Sequence, residues 1–295
     1  MNLERLSNNC MQIIKKQKFP YERDLYNIKD TKLVDCEFKG VEDGESALKE
    51  CHNIELDNCL MDLRYPLWHD HVVTLNNVTQ TINCRASLWY SNDITINNST
   101  LDGIKAVRES HNITILNSKI NSSEFGWKSS NFTIDGTYIN SEYIFFLSEV
   151  IKASNSTFEG KYGFQYIKDS TFVNCTFKTK DAFWHGKNII VRDSYVEGEY
   201  LGWYSENLTF INCKIKGIQP LCYCKGLKLI NCEMEDANLA FEYSDVNATI
   251  NGYIESVKNP LSGVIEADTV GEIVYTDDVV KECNGIVKIK DDKHM

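Results

Sequence analysis

Apolar and polar residues alternate along this chain in short runs, and the runs recur. "SHNITILNSKI" (110–120) is answered nineteen residues later by "SSNFTIDGTYI" (129–139). In the first copy Ile113 and Ile115 alternate with polar neighbours, Asn117 interrupts, and Ser118 and Ile120 resume the alternation. A period of two, a break at Asn and a second period of two predict a strand, a tight turn and another strand. Copies can be anchored on the small residue after the Asn-like position. The anchors are Cys36, Cys59, Val78, Ser99, Ser118, Thr137, Ser156, Cys175, Ser194, Cys213, Cys232 and Gly252. Their intervals are 23, 19 and 21, then seven steps of 19, then 20. A fixed period of this size is the mark of a solenoid.

A third apolar stretch follows in each copy, such as "AVR" (106–108) or "IFF" (144–146). At roughly 3.3 Å per residue, one period holds three short strands with their turns and leaves little for a helix. The expected fold is all-β: a single-stranded right-handed parallel β-helix of about twelve ~19-residue coils, with the hand set by the usual crossover rule. A leucine-rich repeat also carries one Asn per turn. It wants a longer Leu-rich line and often a helix, whereas β-branched residues and Phe dominate here.

The position before each anchor supports the β-helix. It holds Asn at 58, 77, 98, 117, 155, 174, 212, 231 and 251, Asp at 35 and 193, and Gly at 136. These residues best tolerate the left-handed backbone of a sharp corner, and their side chains can form an Asn ladder along the axis. The anchors fill the inside of that corner, so Cys36, Cys59, Cys175, Cys213 and Cys232 read as packed thiols rather than disulfides or metal ligands. Residues 1–30 lie outside the repeat and read as an N-terminal cap, with a short amphipathic helix possible in "LERLSNNCMQIIKK". Residues 31–256 are the β-helix. Residues 257–295 lose the period and read as a C-terminal cap with irregular strands around "EIVYTD" and "GIVKIK".

Composition narrows the function classes. The chain has 295 residues and a formal charge of −11, which disfavours a nucleic-acid partner. No apolar leader core and no run of eighteen apolar residues is present, so neither secretion nor a membrane span is expected. The 11 cysteines then suggest a reducing, cytoplasmic setting. The Asn-x-Ser/Thr triplets at Asn98, Asn112, Asn131, Asn155 and Asn207 follow from the repeat and need no glycosylation.

One column resists a purely architectural reading. Ten residues before each anchor stand Lys49, Trp68, Trp89, Arg108, Trp127, Phe146, Gln165, Trp184, Trp203 and Cys222, which include all 5 Trp of the chain. The preceding column (Leu48, Leu67, Leu88, Val107, Gly126, Phe145, Phe164, Phe183, Gly202, Leu221) is core, so alternation turns the Trp column outward. The following column holds His69, Tyr90, Glu109, Lys128, Leu147, Tyr166, His185, Tyr204 and Tyr223. A stripe from Trp68 to Trp203 would span roughly 34 Å at about 4.8 Å per coil. The expected ligand-binding set is Trp68, Trp89, Tyr90, Trp127, Phe146, Tyr166, Trp184, His185, Trp203 and Tyr204, offering rings to a glycan or sugar derivative. The competing reading is structural stacking, or a face covered by a terminal segment or a second subunit.

His52, His71, Asn92 and His111 form a neighbouring column, with His69 and His185 beside it. With Asp70 nearby they could act as acid and base or bind a metal, although a hydrogen-bonded turn column explains them too. No tetrahedral ligand set follows, so no metal and no cofactor is assigned. Arg108, Glu109 and Lys128, near Arg64, Arg85 and Glu124, form the most ionic part of the face. The catalytic candidates are Glu109 as acid or base, Arg108 or Lys128 as anion holders, and His69 and His71; a surface ion-pair ladder is the alternative. Cys222 and Cys224 lack the spacing of a redox pair.

The lines "NITINNSTLDG" and "NLTFINCKIKG" resemble the coils of pectate-lyase-type right-handed β-helices over residues 31 to about 256. "GESALKE", "YPLWHD", "KDAFWHGKN", "GEYLGWYSENLTFINC" and "LAFEYS" resemble a bacterial domain-of-unknown-function family of similar length. The resemblance implies a fold and no reaction. "LWHDHV" (67–72) is similar to the lyase "WIDH" element but lies on the strand before the one required. No Arg-x-Pro-x-x-Arg element occurs, and Asp277-Asp278 lies past the coils rather than on neighbouring strands. Two readings result: carbohydrate-related binding or modification on the aromatic face, or a non-enzymatic scaffold using that face for oligomer or partner contacts.

Overall fold

The computed structural model describes residues 11–40, 45–276 and 280–290. They form a parallel β-solenoid of about 14 turns with no helix, and none of them belongs to a helix long and apolar enough to cross a membrane. The first strand of each coil stacks in register on the next. Ile94, Ile113, Phe132 and Ile151 form one such column across Asn92–Asn97, His111–Leu116, Ser130–Asp135 and Glu149–Ser154. The second strands stack likewise, placing Ile120, Ile139, Phe158 and Phe177 above one another. Both columns point inward and are fully buried or nearly so, which is why these positions alternate in the sequence.

The stack has more turns than the repeat count of about twelve because it continues at both ends. The helix expected in "LERLSNNCMQIIKK" is absent from its described part. Gln12–Lys15 is instead a strand, parallel to Lys29–Val34 with Gln12 opposite Thr31. Its backbone groups find partners on the neighbouring coil, and this tertiary pairing overrides a weak helical pattern. At the other end Ser262–Val274 pairs in parallel with Asp245–Lys258, and Ile286–Ile289 pairs with it in turn. Residues 277 and 278 lie outside the described residues.

Eleven of the twelve positions before the anchors have positive φ, from Asp35 (53°) through Asn117 (48°) to Asn231 (52°); at the last copy the positive φ falls not on Asn251 but on the anchor Gly252 itself (85°). Side-chain bonds along the axis include Asn58 Nδ2 to Asp35 Oδ1 (2.6 Å), Asn174 Nδ2 to Asn155 Oδ1 (2.7 Å) and Asn212 Nδ2 to Asp193 Oδ1 (3.0 Å). A second left-handed column lies five residues earlier, at Asp30, Asn53, Asp93, Asn112, Asn131, Asp169, Asn188 and Asn207. It too is bonded coil to coil, as in Asn131 to Asn112 (3.0 Å) and Asn207 to Asn188 (3.0 Å). The anchor cysteines are buried free thiols. Anchor serines carry a further axial bond: Ser99 accepts the Val78 N–H at 3.0 Å, and Ser118 accepts the Ser99 N–H at 3.1 Å.

Candidate functional site

The third segment of the coil carries the aromatic column, and it is not a regular strand. Only Leu88–Trp89 and Val107–Arg108 are strands there, joined by a bridge from Arg108 to Trp127. In the other coils alternate residues are left-handed: Tyr143, Phe145 and Leu147 in one, Tyr162, Phe164 and Tyr166 in the next. Bulky residues rarely adopt this conformation. Here alternating axial hydrogen bonds hold it: Tyr143 N–H to Lys161 O, Phe145 N–H back to Phe125 O, and Leu147 N–H to Gln165 O. The inside-outside alternation survives. Phe145, Phe164 and Phe183 are fully buried, while the Trp column is half-buried and outward.

The outward column is a ladder of rings and cations. Lys49 Nζ sits 4.3 Å from the Trp68 ring, and Trp68 stacks on Trp89 at 5.8 Å and 17°. Arg108 lies between Trp89 (5.4 Å) and Trp127 (5.2 Å), and Trp127 meets Phe146 at 5.1 Å. After Gln165 the column resumes with Trp184 and Trp203, 5.3 Å apart and 2° from parallel. The indole N–H groups are fixed from below: Trp127 donates to Tyr143 O (2.6 Å), Trp184 to Tyr200 O (2.5 Å) and Trp203 to Gln219 O (2.7 Å). The Trp89 N–H is buried with no partner among the described residues.

The next column is more exposed. Tyr166, His185, Tyr204, Tyr223 and Tyr243 stack in succession with centroids 4.7, 5.0, 4.8 and 6.0 Å apart and tilts of 8°, 8°, 11° and 27°. Each inner ring has a ring on both faces, so edges and hydroxyls face solvent. The stacking of a sugar on open ring faces therefore has little surface to use along this row. Tyr90, farther along the face, stacks on Trp89 at 5.2 Å.

The ionic centre is closed on itself. Arg108 pairs with Glu109 (3.3 Å) and Glu124 (3.4 Å), and Lys105 also reaches Glu124 (3.3 Å). Arg108 is thus engaged by two carboxylates and two indoles, leaving little charge to hold an anion. Lys128 is exposed beside it. His69 contacts Glu50 at 3.0 Å, His71 contacts Asn92 at 3.3 Å, and His111 contacts Ser130 at 2.7 Å. His52 and His71 are adjacent across the coil pairing, with ring centroids 6.4 Å apart. No group of three His, Cys, Asp or Glu among the described residues is arranged to hold a metal ion. His52, His71 and His111 each open a strand, at the point where the chain leaves the turn.

Asp70, read from the sequence as standing with His69 and His71, is set apart from those outward histidines. Asp70 is fully buried, in a column of inward serines at Ser91, Ser110, Ser129 and Ser148. Each of these accepts an N–H from the preceding coil, for example Ser91 N–H to Ser110 Oγ at 3.1 Å. Asp70 takes the same place, accepting the Cys51 N–H, but its Oδ2 has no partner among the described residues. Burial pushes its carboxyl well above the usual range, against the Cys51 hydrogen bond and with help from Glu50. The inward slot and a polar residue outside the Ser pattern were the available signal.

Two solved structures align with this chain at low sequence identity. A surface adhesin of Streptococcus pneumoniae, PfbA, aligns at 11% identity over 88% of this chain and 81% of its own, with a TM-score of 0.39. The catalytic domain of a GH87 alpha-1,3-glucanase, solved with tetrasaccharides, aligns at 12% identity over 95% of this chain and 61% of its own, with a TM-score of 0.32. No curated protein matches the sequence. Residues 12–288 match the model of the family described as "Protein of unknown function (DUF3737)", and the chain belongs to that family.

Proposed function

We propose that this chain is a non-enzymatic interaction scaffold whose aromatic face docks on a second copy of itself. The observation that supports this is the outward row Leu147, Tyr166, His185, Tyr204, Tyr223 and Tyr243, which carries no Asp, Glu, Lys or Arg on a chain of net charge −11. Leu147, Tyr166 and Tyr204 are 46%, 40% and 46% exposed. Stacking has already ordered the rings, so docking costs little side-chain entropy, and Tyr offers both apolar contact and a hydroxyl. The rows recur at the coil spacing of about 4.8 Å, so ring edges interdigitate over many coils only with a partner of the same pitch. A second copy supplies that pitch, and a two-fold contact makes the patch self-complementary. The strip covers on the order of a few hundred Å², at the low end for specific association, so the dimer is weak and concentration-dependent.

Sedimentation velocity of the full chain from low to high micromolar concentration tests the reading. The expected result is a reversible dimer that Tyr204→Glu or Tyr166→Glu converts to monomer without loss of the cooperative melt. A wild-type chain that stays monomeric throughout, or a dimer indifferent to both substitutions, overturns it. Catalysis at the ionic centre draws no support from a cluster whose members pair with one another. A carbohydrate-related role is the second reading, favoured by a groove on a different face.

A further inference from the structure

The second strands and the corner after them form an open groove of about 830 Å³ on a different part of the coil from the aromatic column. It crosses the coils that contain Thr79, Asp102, Asn121, Asn140 and Gly160, four coil steps or about 19 Å. Its floor is low because the corner residues are small and turned away. Ser122 and Ser141 point inward to accept the N–H groups of Ala106 (3.0 Å) and Phe125 (3.2 Å). Gly103 and Gly160 lie so close to the preceding coil that a Cβ would stand 1.8 Å from Cys84 O and 2.0 Å from Ser141 O.

One wall comes from a break in the period. The interval from Val78 to Ser99 is 21 residues instead of 19. In this lengthened coil Ile82 is 75% exposed, and Ile104 in the next coil is 40% exposed beside it. Departures of one repeat from its neighbours gather on the binding face of solenoids. The remaining lining is polar: carboxylates at Asp102 and Glu142, amides at Asn121 and Asn140, hydroxyls at Thr79 and Thr81, and a single cation, Lys161, at one end. Asn121 donates to Asp102 at 2.7 Å, which orients its amide across the floor.

We infer that this groove binds a neutral oligosaccharide. Its amides, hydroxyls and carboxylates match the donors and acceptors of a polyol, and Ile82 and Ile104 supply apolar contact for sugar CH groups. Its length takes several sugar units. Asp102 and Glu142, on a chain of net charge −11, exclude a polyanion such as a uronic-acid chain. The inference is independent of the aromatic face.

Titration calorimetry of the full chain with maltohexaose, cellohexaose and laminarihexaose, and with tetragalacturonate as the acidic probe, tests it. At least one neutral hexasaccharide is expected to bind, while tetragalacturonate does not. Asn121→Ala with Asn140→Ala removes two hydrogen-bonding groups and should weaken binding by about tenfold. Ser123→Trp, at an exposed lining position, should block the groove. Thermal melts of both variants confirm folding. The inference fails if none of the three hexasaccharides binds, if the acidic probe binds in their place, or if binding survives both groove variants. Binding lost in Tyr204→Glu but kept in the groove variants would overturn it and assign the sugar to the aromatic face, whereas loss of the dimer alone leaves the groove untouched.

Discussion

Asp70 accepts the backbone N–H of Cys51 at 2.7 Å from a carboxyl with no solvent exposure. It occupies a slot that serines fill in the next four coils, and its second oxygen has no partner among the described residues. Burial favours the protonated form in the folded chain. Below the unfolded pKa of about 4 both states are protonated and the site costs little. As pH rises, the unfolded chain releases the proton and the folded chain retains it, so stability falls by as much as about 1.4 kcal/mol per pH unit up to the folded pKa. Asp70→Asn keeps an acceptor for Cys51 and removes the titration. Its melting temperature relative to wild type should rise as the pH is raised from 4 toward 7, until the folded carboxyl itself titrates. A difference that stays flat across that range would show that Asp70 does not titrate differently in the two states.

Gln80 presents a related conflict in the core. It lies between Met61 and Leu101 in a column of second-strand residues that is otherwise apolar. Among the described residues its Nε2 reaches the Met61 sulfur (3.6 Å), and its Oε1 is buried without a partner. A buried amide in this state costs about 1–3 kcal/mol. Gln80→Leu should therefore stabilise the chain by about 1 kcal/mol or more in urea unfolding. Destabilisation instead would mean that Gln80 has a partner, such as an ordered water, that the substitution strands.

Trp184 tests how far the aromatic ladder is structural. It stacks on Trp203 and donates its indole N–H to Tyr200 O, so it links two coils by two interactions. Trp184→Ala should cost about 2 kcal/mol, less than a fully buried Trp, while Trp184→Phe recovers the stacking part alone. Urea unfolding of the three proteins gives the comparison. Equal stability of all three would remove the ladder from the forces holding the coils.

Much of this fold was legible in the residues. The nineteen-residue spacing, the inward Ile and Phe columns and the left-handed position before eleven of the twelve anchors all follow from side-chain chemistry acting locally. The second left-handed column, marked by Asn112, Asn131 and Asn207, carries the same signal, an Asn at a fixed place in the period. The third segment was not legible as a turn, because Tyr143, Phe145 and Leu147 contradict their own backbone preferences. Their conformation comes from hydrogen bonds to residues one coil away. The outward direction of the Trp column followed from alternation. That its rings would spend their faces on one another, and that Arg108 would be shared by two indoles and two carboxylates, depended on rotamers no spacing encodes. The groove was missed because its floor is made of small residues, which leave little pattern.

The in-register stacking has a consequence for chain length. Each coil bonds only to the one before and the one after, and seven consecutive intervals are identical at 19 residues. Excising one full period within that stretch would rejoin a strand to its equivalent, preserving every inward and outward assignment. Excising eighteen or twenty would leave the junction one residue out of register, which that coil would have to absorb as a local irregularity like the one between Leu229 and Cys232. Length is therefore a quantised variable for this molecule, and natural or designed variants should differ by whole coils, shortening the aromatic strip or the groove without changing the cross-section of either.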